Sequence, residues 1–238
     1  MSLVEYPNVE LLFTDAELSI QKEIANIETF INQKVDVIIL GPVDTESSRA
    51  TVEMANNAGI PVVIIDDTRL PGRKEACVIE FDSYSQGYIA GELMVKYLNG
   101  KGKVAEVDFP FKSTVIDNRN EGFRDAIKGT DIEIVADQSG EANREDSMAA
   151  AEYMIQAHPD LAGIFGVHGD AGLGALAAVE ASGKQGQKIV VTTIDADKGV
   201  LEAMERGSAL KGISTTFPEK VGEWGVRMAV QLIEGEVI

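Results

Sequence analysis

The residues able to do chemistry in this 238-residue chain recur at one kind of place, just after short apolar runs. Val62-Val63-Ile64-Ile65 leads to Asp66-Asp67-Thr68, Val104-Ala105-Glu106-Val107 to Asp108, and the run from Ile189 to Ile194 to Asp195-Ala196-Asp197. Phe13 is followed by Thr14-Asp15, Leu40 by Gly41-Pro42-Val43-Asp44, Val135 by Ala136-Asp137, Val167 by His168-Gly169-Asp170, and Ser214 by Thr215-Thr216. Acids and hydroxyls there commonly cap helices, because they accept from unpaired N–H groups and oppose the helix dipole. Asp66-Asp67 precedes an irregular loop instead, so capping does not account for two adjacent carboxylates. With Asp195 they offer several acceptors to a ligand rich in hydroxyls, or balance a cation. His168 is of a type that serves as a general base, yet no Ser or Cys nucleophile is placed by the sequence to use it.

Other chemistries lack their motifs. Gly169-Asp170-Ala171-Gly172-Leu173-Gly174 reads G-x-x-G-x-G, not the dinucleotide fingerprint, and lies mainly in a helix where small residues pack closely. Neither a phosphate loop of the G-x-x-x-x-G-K-[ST] type nor a G-x-S-x-G elbow occurs. Cys77 sits inside an apolar run and reads as a small core residue. Being the only cysteine, it permits no intramolecular disulfide, and two histidines argue against a zinc cage. No metal or cofactor is expected. Phe109 and Phe111 flank Pro110 in a loop; one of them, taken as Phe111, is expected to face a ligand.

These residues need elements to position them. An apolar content of 45% supports a packed core in one large or two small domains, and rules out disorder despite the acidic balance. The formal charge of −18 repels phosphate and argues against nucleic acid as a partner. No run of about 18 apolar residues is present to span a membrane.

Apolar runs at 9–13, 35–40, 62–65 and 77–81 read as strands, with helices over 20–31 and 46–58 between the first three. Past the breaker-rich Pro71-Gly72-Arg73-Lys74, strands are expected at 104–107, 132–135, 162–167, 189–194 and 210–214. Helices alternate with them over 83–98, 114–128, 143–157, 170–182 and 197–206, and a last one opens at Pro218. Such alternation means α/β with parallel sheets and right-handed crossovers. An eight-fold barrel is the competing architecture. The break at 66–82, where a loop and not a helix joins two strands, favours two doubly wound domains.

Several stretches, taken in order, resemble the sugar-binding branch of the type I periplasmic binding proteins, the ribose-binding-protein-like receptors of ABC transporters. Tyr6 to Asp67 resembles the family's first-domain pattern, and Phe81 to Glu92, FDSYSQGYIAGE, the entry into the second domain. NRNEGFRDAI holds the family's R-x-x-G-F at Arg119, Gly122 and Phe123. AGIFGVHGDAGLGALAAVEASGK and VTTIDADKGVLEAMERG complete the second domain.

The resemblance implies two domains joined by three hinge strands, residues 1–81 plus 217–238 and residues 82–216, with a small polar ligand clamped between them. By position, Asp66 and Asp195 match acids that accept from sugar hydroxyls, and Arg119 an arginine that donates to them. His168 falls where the family commonly has Asn or Asp, Thr216 where it often has Gln, and Asp67 replaces an arginine. Loss of a cation and gain of an anion point to a polyol, an amino-sugar or another ligand with surplus donors. The implied protein is a non-catalytic, monomeric receptor, periplasmic or extracytoplasmic, that hands a sugar or polyol to a membrane permease. The alternative is the effector-binding core of a lactose-repressor-like regulator, against which stands Gly100-Lys101-Gly102-Lys103, the transporter style of that segment.

Met1-Ser2-Leu3 leads straight into Val4-Glu5-Tyr6-Pro7 without a secretory signal, and the chain stops at Gly235-Glu236-Val237-Ile238 as an apolar strand begins. The family carries a further strand and helix before this point and further strands after it. The expectation is a chain truncated at both ends, whose first sheet lacks an edge or central strand and whose sugar affinity is weakened or lost.

Overall fold

The computed structural model describes residues 6–111, 113–183 and 189–236. It divides into two compact units: Met1–Phe81, Phe111–Val115 and Phe217–Ile238 form unit 1, and Asp82–Pro110 with Ile116–Thr216 form unit 2. Each has its own parallel sheet, which excludes the closed barrel.

In unit 1, helix α1 (Ile20–Gln33) precedes strand β1 (Ile38–Leu40), and α2 (Ser48–Asn57) precedes β2 (Val62–Ile65). A loop leads to β3 (Cys77–Ile79), and the last helix of the chain, α8 (Pro218–Ile233), returns to this unit. The sheet order is β1-β2-β3, all parallel. β2 is the buried middle strand, and Ile38, Val62 and Ile64 pack with Ile27, Val52 and Ala55 of the first two helices. α8 comes close to the sheet at Gly225, where an added Cβ would meet Ile39 and Ile65 at 3.3 Å. The buried Glu23 of α1 ties that helix to its neighbours: it accepts from the Val43 N–H at 2.7 Å and the Thr51 hydroxyl at 3.0 Å.

Unit 2 holds α3 (Ser83–Leu98), β4 (Lys101–Asp108), α4 (Thr114–Ile127), β5 (Asp131–Ser139), α5 (Arg144–Ala157) and β6 (Leu161–Gly166). α6 (Gly169–Ala181), β7 (Val190–Ile194), α7 (Lys198–Glu205) and β8 (Leu210–Ser214) complete it. α4 begins in the short stretch assigned to unit 1 and runs on into unit 2. The strand order is β5-β4-β6-β7-β8, all parallel. The inner strands are buried on both faces, which is why they read as nearly continuous apolar runs. One face packs Ala105, Val107, Ile164 and Val191 against α5, α6 and α7; the other packs Val104, Phe165 and Val190 against α3 and α4. Phe123 of α4 and Phe165 of β6 stack at 4.2 Å between ring centres. Glycines set how closely the helices approach. A methyl group on Gly87 of α3 would overlap the Arg119 carbonyl of α4, and one on Gly122 of α4 would overlap the Tyr84 carbonyl of α3.

One expected strand is not there. Val9–Phe13 forms no strand and pairs with none among the described residues, and Phe13 is 83% exposed. A strand exists only through a neighbour about 4.8 Å away, and a groove of about 940 Å³ lies between this segment and β1.

Candidate functional site

In unit 2 the carboxyl ends of β6, β7 and β8 bring Asp195, Thr216 and His168 together. Asp195 follows β7 with φ +75°, a left-handed conformation that Asp tolerates better than most residues. Its N–H donates to the Ser214 carbonyl at the end of β8, 2.8 Å away. One carboxylate oxygen accepts from the Thr216 hydroxyl at 2.8 Å; the other faces the Gly169 N–H, at the start of α6, at 3.3 Å. The negative charge therefore lies where a helix dipole favours it.

Arg119 is buried on α4 and largely held by protein. Its Nε donates to Gln86 Oε1 at 3.2 Å, one Nη donates to the Val167 carbonyl at 3.2 Å, and the other lies 3.9 Å from Asp195. The glycine contact between α3 and α4 sets the position of the Arg119 backbone. Arg119 therefore braces the loop after β6 and faces Asp195, a more constrained part than a donor open to a ligand.

His168 caps α6, its Nδ1 accepting from the Ala171 N–H at 3.4 Å. That assigns the ring proton to Nε2, which is buried and has no partner in the protein. The Phe109 ring stands edge-on to the imidazole at 5.7 Å, and the Thr193 hydroxyl donates to the His168 carbonyl at 2.8 Å. Burial pushes the imidazole below its ordinary range and keeps it neutral. A neutral, buried N–H donor beside a carboxylate and a hydroxyl is suited to a ligand that both accepts and donates hydrogen bonds.

Unit 1 places its candidates differently. Asp66, at the carboxyl end of β2, is exposed, has φ +51°, and donates its N–H to the Ile79 carbonyl at 3.0 Å. Asp67 is buried, 3% exposed, and is no surplus anion. One of its oxygens accepts from the Thr45 hydroxyl at 2.9 Å and the other from Arg73 at 2.7 Å. Arg73 also donates to Glu75, to Ser48 and to the Thr68 carbonyl, fixing the loop between β2 and β3 where a helix would otherwise form the connection. The ligand chemistry read from Asp67 alone is thereby withdrawn: the cation absent at that position is supplied by Arg73. Phe111 is half-buried and belongs to unit 1, whereas Phe109 touches His168.

Sequence reasoning passed over Asn120, Gln86 and Arg73. Buried Asn120 donates to Asp108 at 3.0 Å and leaves its Oδ1 without a partner in the protein. Its place beside Arg119 on α4 was the only signal available. Arg124 of α4 bridges the buried Glu106 of β4 and the more exposed Asp137 of the edge strand β5, and desolvation raises both carboxyls above the usual range. Among the described residues no group of three or more His, Cys, Asp or Glu side chains converges to hold a metal ion.

Paired parallel α/β units with polar side chains at their strand ends are the architecture of a solute-binding protein. The chain belongs to the periplasmic binding protein family: the family's domain model matches residues 3–236. It is 28% identical to the ribose import binding protein of Bacillus subtilis over 97% of this chain and 73% of that protein. An ABC transporter solute-binding protein from Bacillus halodurans, solved with bound myo-inositol, superposes with a TM-score of 0.90 at 30% identity, covering 100% of this chain and 82% of the other. One from Mycobacterium smegmatis, with bound glycerol, superposes at 0.91 with 25% identity over 99% and 81% of the two chains.

Proposed function

We propose that this chain is the non-catalytic receptor of an ABC importer, acting outside the cytoplasm, and that it binds a sugar or polyol and passes it to a membrane permease. The observation that carries this reading is the unpartnered Nε2–H of His168 beside the Asp195–Thr216 pair. Vicinal hydroxyls both accept and donate, so one polyol answers the imidazole donor and the carboxylate acceptor together. The ligands named for the similar proteins, ribose, myo-inositol and glycerol, share that chemistry. None of these relatives is a transcription regulator, which leaves the repressor-like alternative without support. No helix among the described residues is long and apolar enough to cross a membrane.

Calorimetric titration with ribose, myo-inositol and glycerol at up to millimolar concentration tests the reading. At least one should bind saturably. Asp195→Ala should weaken that binding by about 2 kcal/mol, because a buried donor is left unsatisfied. Failure of all three to bind, or equal affinity in the variant, overturns it.

A further inference from the structure

Helix α4 carries a second polar surface besides the one that ends at Arg119. Residues three and four apart share a helix face. On α4 and just beyond it, that rule sets Asp117, Glu121 and Asp125 in one row and Asn120, Arg124 and Lys128 in the next. With Asp108 of β4 and Asp137 of β5 they line a pocket of about 480 Å³ that lies wholly in unit 2. Like charges at i, i+4 oppose helix formation, so the acid row weakens α4 unless a counter-charge answers it.

The cations of the pocket are already engaged. Arg124 is held by Glu106 and Asp137, and Lys128 by Asp125, which also accepts from the Tyr84 hydroxyl at 3.1 Å. Acceptors are left over. Asp108 Oδ1 accepts from the Phe109 N–H at 2.8 Å and from Asn120 Nδ2 at 3.0 Å, and its Oδ2 accepts nothing among the described residues. Asn120 is 6% exposed, and with its amide nitrogen turned to Asp108 its Oδ1 has no donor. A flipped amide would set that oxygen against the carboxylate, so the orientation is fixed by charge. Glu121 is exposed and makes no hydrogen bond or salt bridge among the described residues. Burial, and after it the charge of Asp108, hold the Asp137 carboxyl above its usual range, as surplus negative charge at the pocket requires.

These walls select the chemistry of a ligand. An anion is repelled, and a neutral polyol leaves the surplus charge unanswered. Among the described residues no three carboxylates or imidazoles converge as a metal ion needs. An alkylammonium group has three donors, a positive charge and no acceptor. We propose that this pocket binds a small aliphatic diamine or polyamine. One ammonium group sits between Asn120 Oδ1 and Asp108, and a second at Glu121 and Asp117, about 6 Å away, the spacing of residues three apart on a helix. The site shares no residue with Asp195, Thr216 and His168, and it stands whether or not the sugar-receptor reading holds.

Calorimetric titration with putrescine (1,4-diaminobutane) at low ionic strength tests it, with 1,4-butanediol and calcium chloride as comparison ligands. Putrescine should bind saturably at a single site and butanediol should not bind. Asn120→Leu should weaken putrescine binding about tenfold, because it removes a buried acceptor from a charged donor. Glu121→Gln, an exposed change that spares the fold, should weaken it about two- to threefold. Glu205→Gln removes the same charge from α7, outside the pocket, and should leave the affinity unchanged. Absence of saturable putrescine binding overturns the proposal. So do equal affinities in the wild type and every variant, which would mean diffuse attraction to the net charge of −18. Calcium binding that displaces putrescine would overturn it in favour of a metal site.

Discussion

At His168, burial holds the imidazolium form below its ordinary range; Asp195, Asp170 and Asp108 oppose that shift and Arg119 adds to it. The folded protein therefore binds this proton less readily than the unfolded chain. Stability attached to His168 is complete above the unfolded value of about 6.5 and is lost as the pH falls toward the lower folded value. Glu106 and Asp137 act in the opposite sense, since burial raises their carboxyls and folding gains as they take up protons. Comparison with a variant separates the contributions. His168→Asn retains a good capping residue for α6 and removes the titration. Urea denaturation between pH 7.5 and 5.5 should show the wild type losing stability relative to the variant, by at most about 1.4 kcal/mol per pH unit. Parallel pH profiles for the two proteins would refute the assignment. Asp67 shows how context decides a residue's part: as one of two adjacent acids it reads as a ligand acceptor, and in the fold both its oxygens are occupied by Arg73 and Thr45.

Elements of this chain were legible where burial writes a continuous pattern. β2, β6 and β7 are buried on both faces, and their nearly uncharged runs, rich in Val, Ile and Thr in β2 and β7 and reading Leu-Ala-Gly-Ile-Phe-Gly in β6, mark them directly. Val9–Phe13 is also a short, mainly apolar run and forms no strand among the described residues, because pairing depends on a neighbour that composition does not reveal. Asp195, Thr216 and His168 were legible for a related reason: parallel topology sends polar residues to strand ends. Arg73 was not, since it sits among loop breakers and its partners at Ser48, Asp67 and Glu75 are chosen by tertiary structure. Helix packing gives a sharp prediction at this scale. Gly87→Ala drives a methyl group into the Arg119 carbonyl, backbone against backbone, and should destabilise unit 2 by roughly 1–3 kcal/mol while displacing Arg119 from Val167. Gly222→Ala on α8 meets nothing within 4 Å and should stabilise by up to about 1 kcal/mol. Equal midpoints for the two variants in urea would contradict this account of the α3–α4 contact.

Across the whole molecule, the two units differ in how completely they bury their apolar surface. Unit 2 has five strands with a core cluster on each face of its sheet. Among the described residues unit 1 has three strands, an open groove, and apolar side chains in solvent, Phe13 at 83% and Ile233 at 52% exposure. Cooperative units with fewer buried contacts open first, so unit 1 should unfold at lower denaturant. The chain supplies its own probe, because its single tryptophan, Trp224, lies on α8 in unit 1 with the Arg227 guanidinium 4.8 Å from the ring centre. In a urea titration the Trp224 emission change should precede the main loss of far-ultraviolet circular dichroism, to which the helices of unit 2 contribute most. Arg73→Ala sharpens the test. It leaves the buried Asp67 and Glu75 without their cation, a loss of roughly 3–5 kcal/mol, and with m about 1–3 kcal/mol per molar urea the midpoint should fall by about 1 M or more. Only the Trp224 transition should move, since the ion pairs of Arg73 lie wholly within unit 1. Coincident transitions in the wild type, shifting together in Arg73→Ala, would mean that the two cores unfold as one.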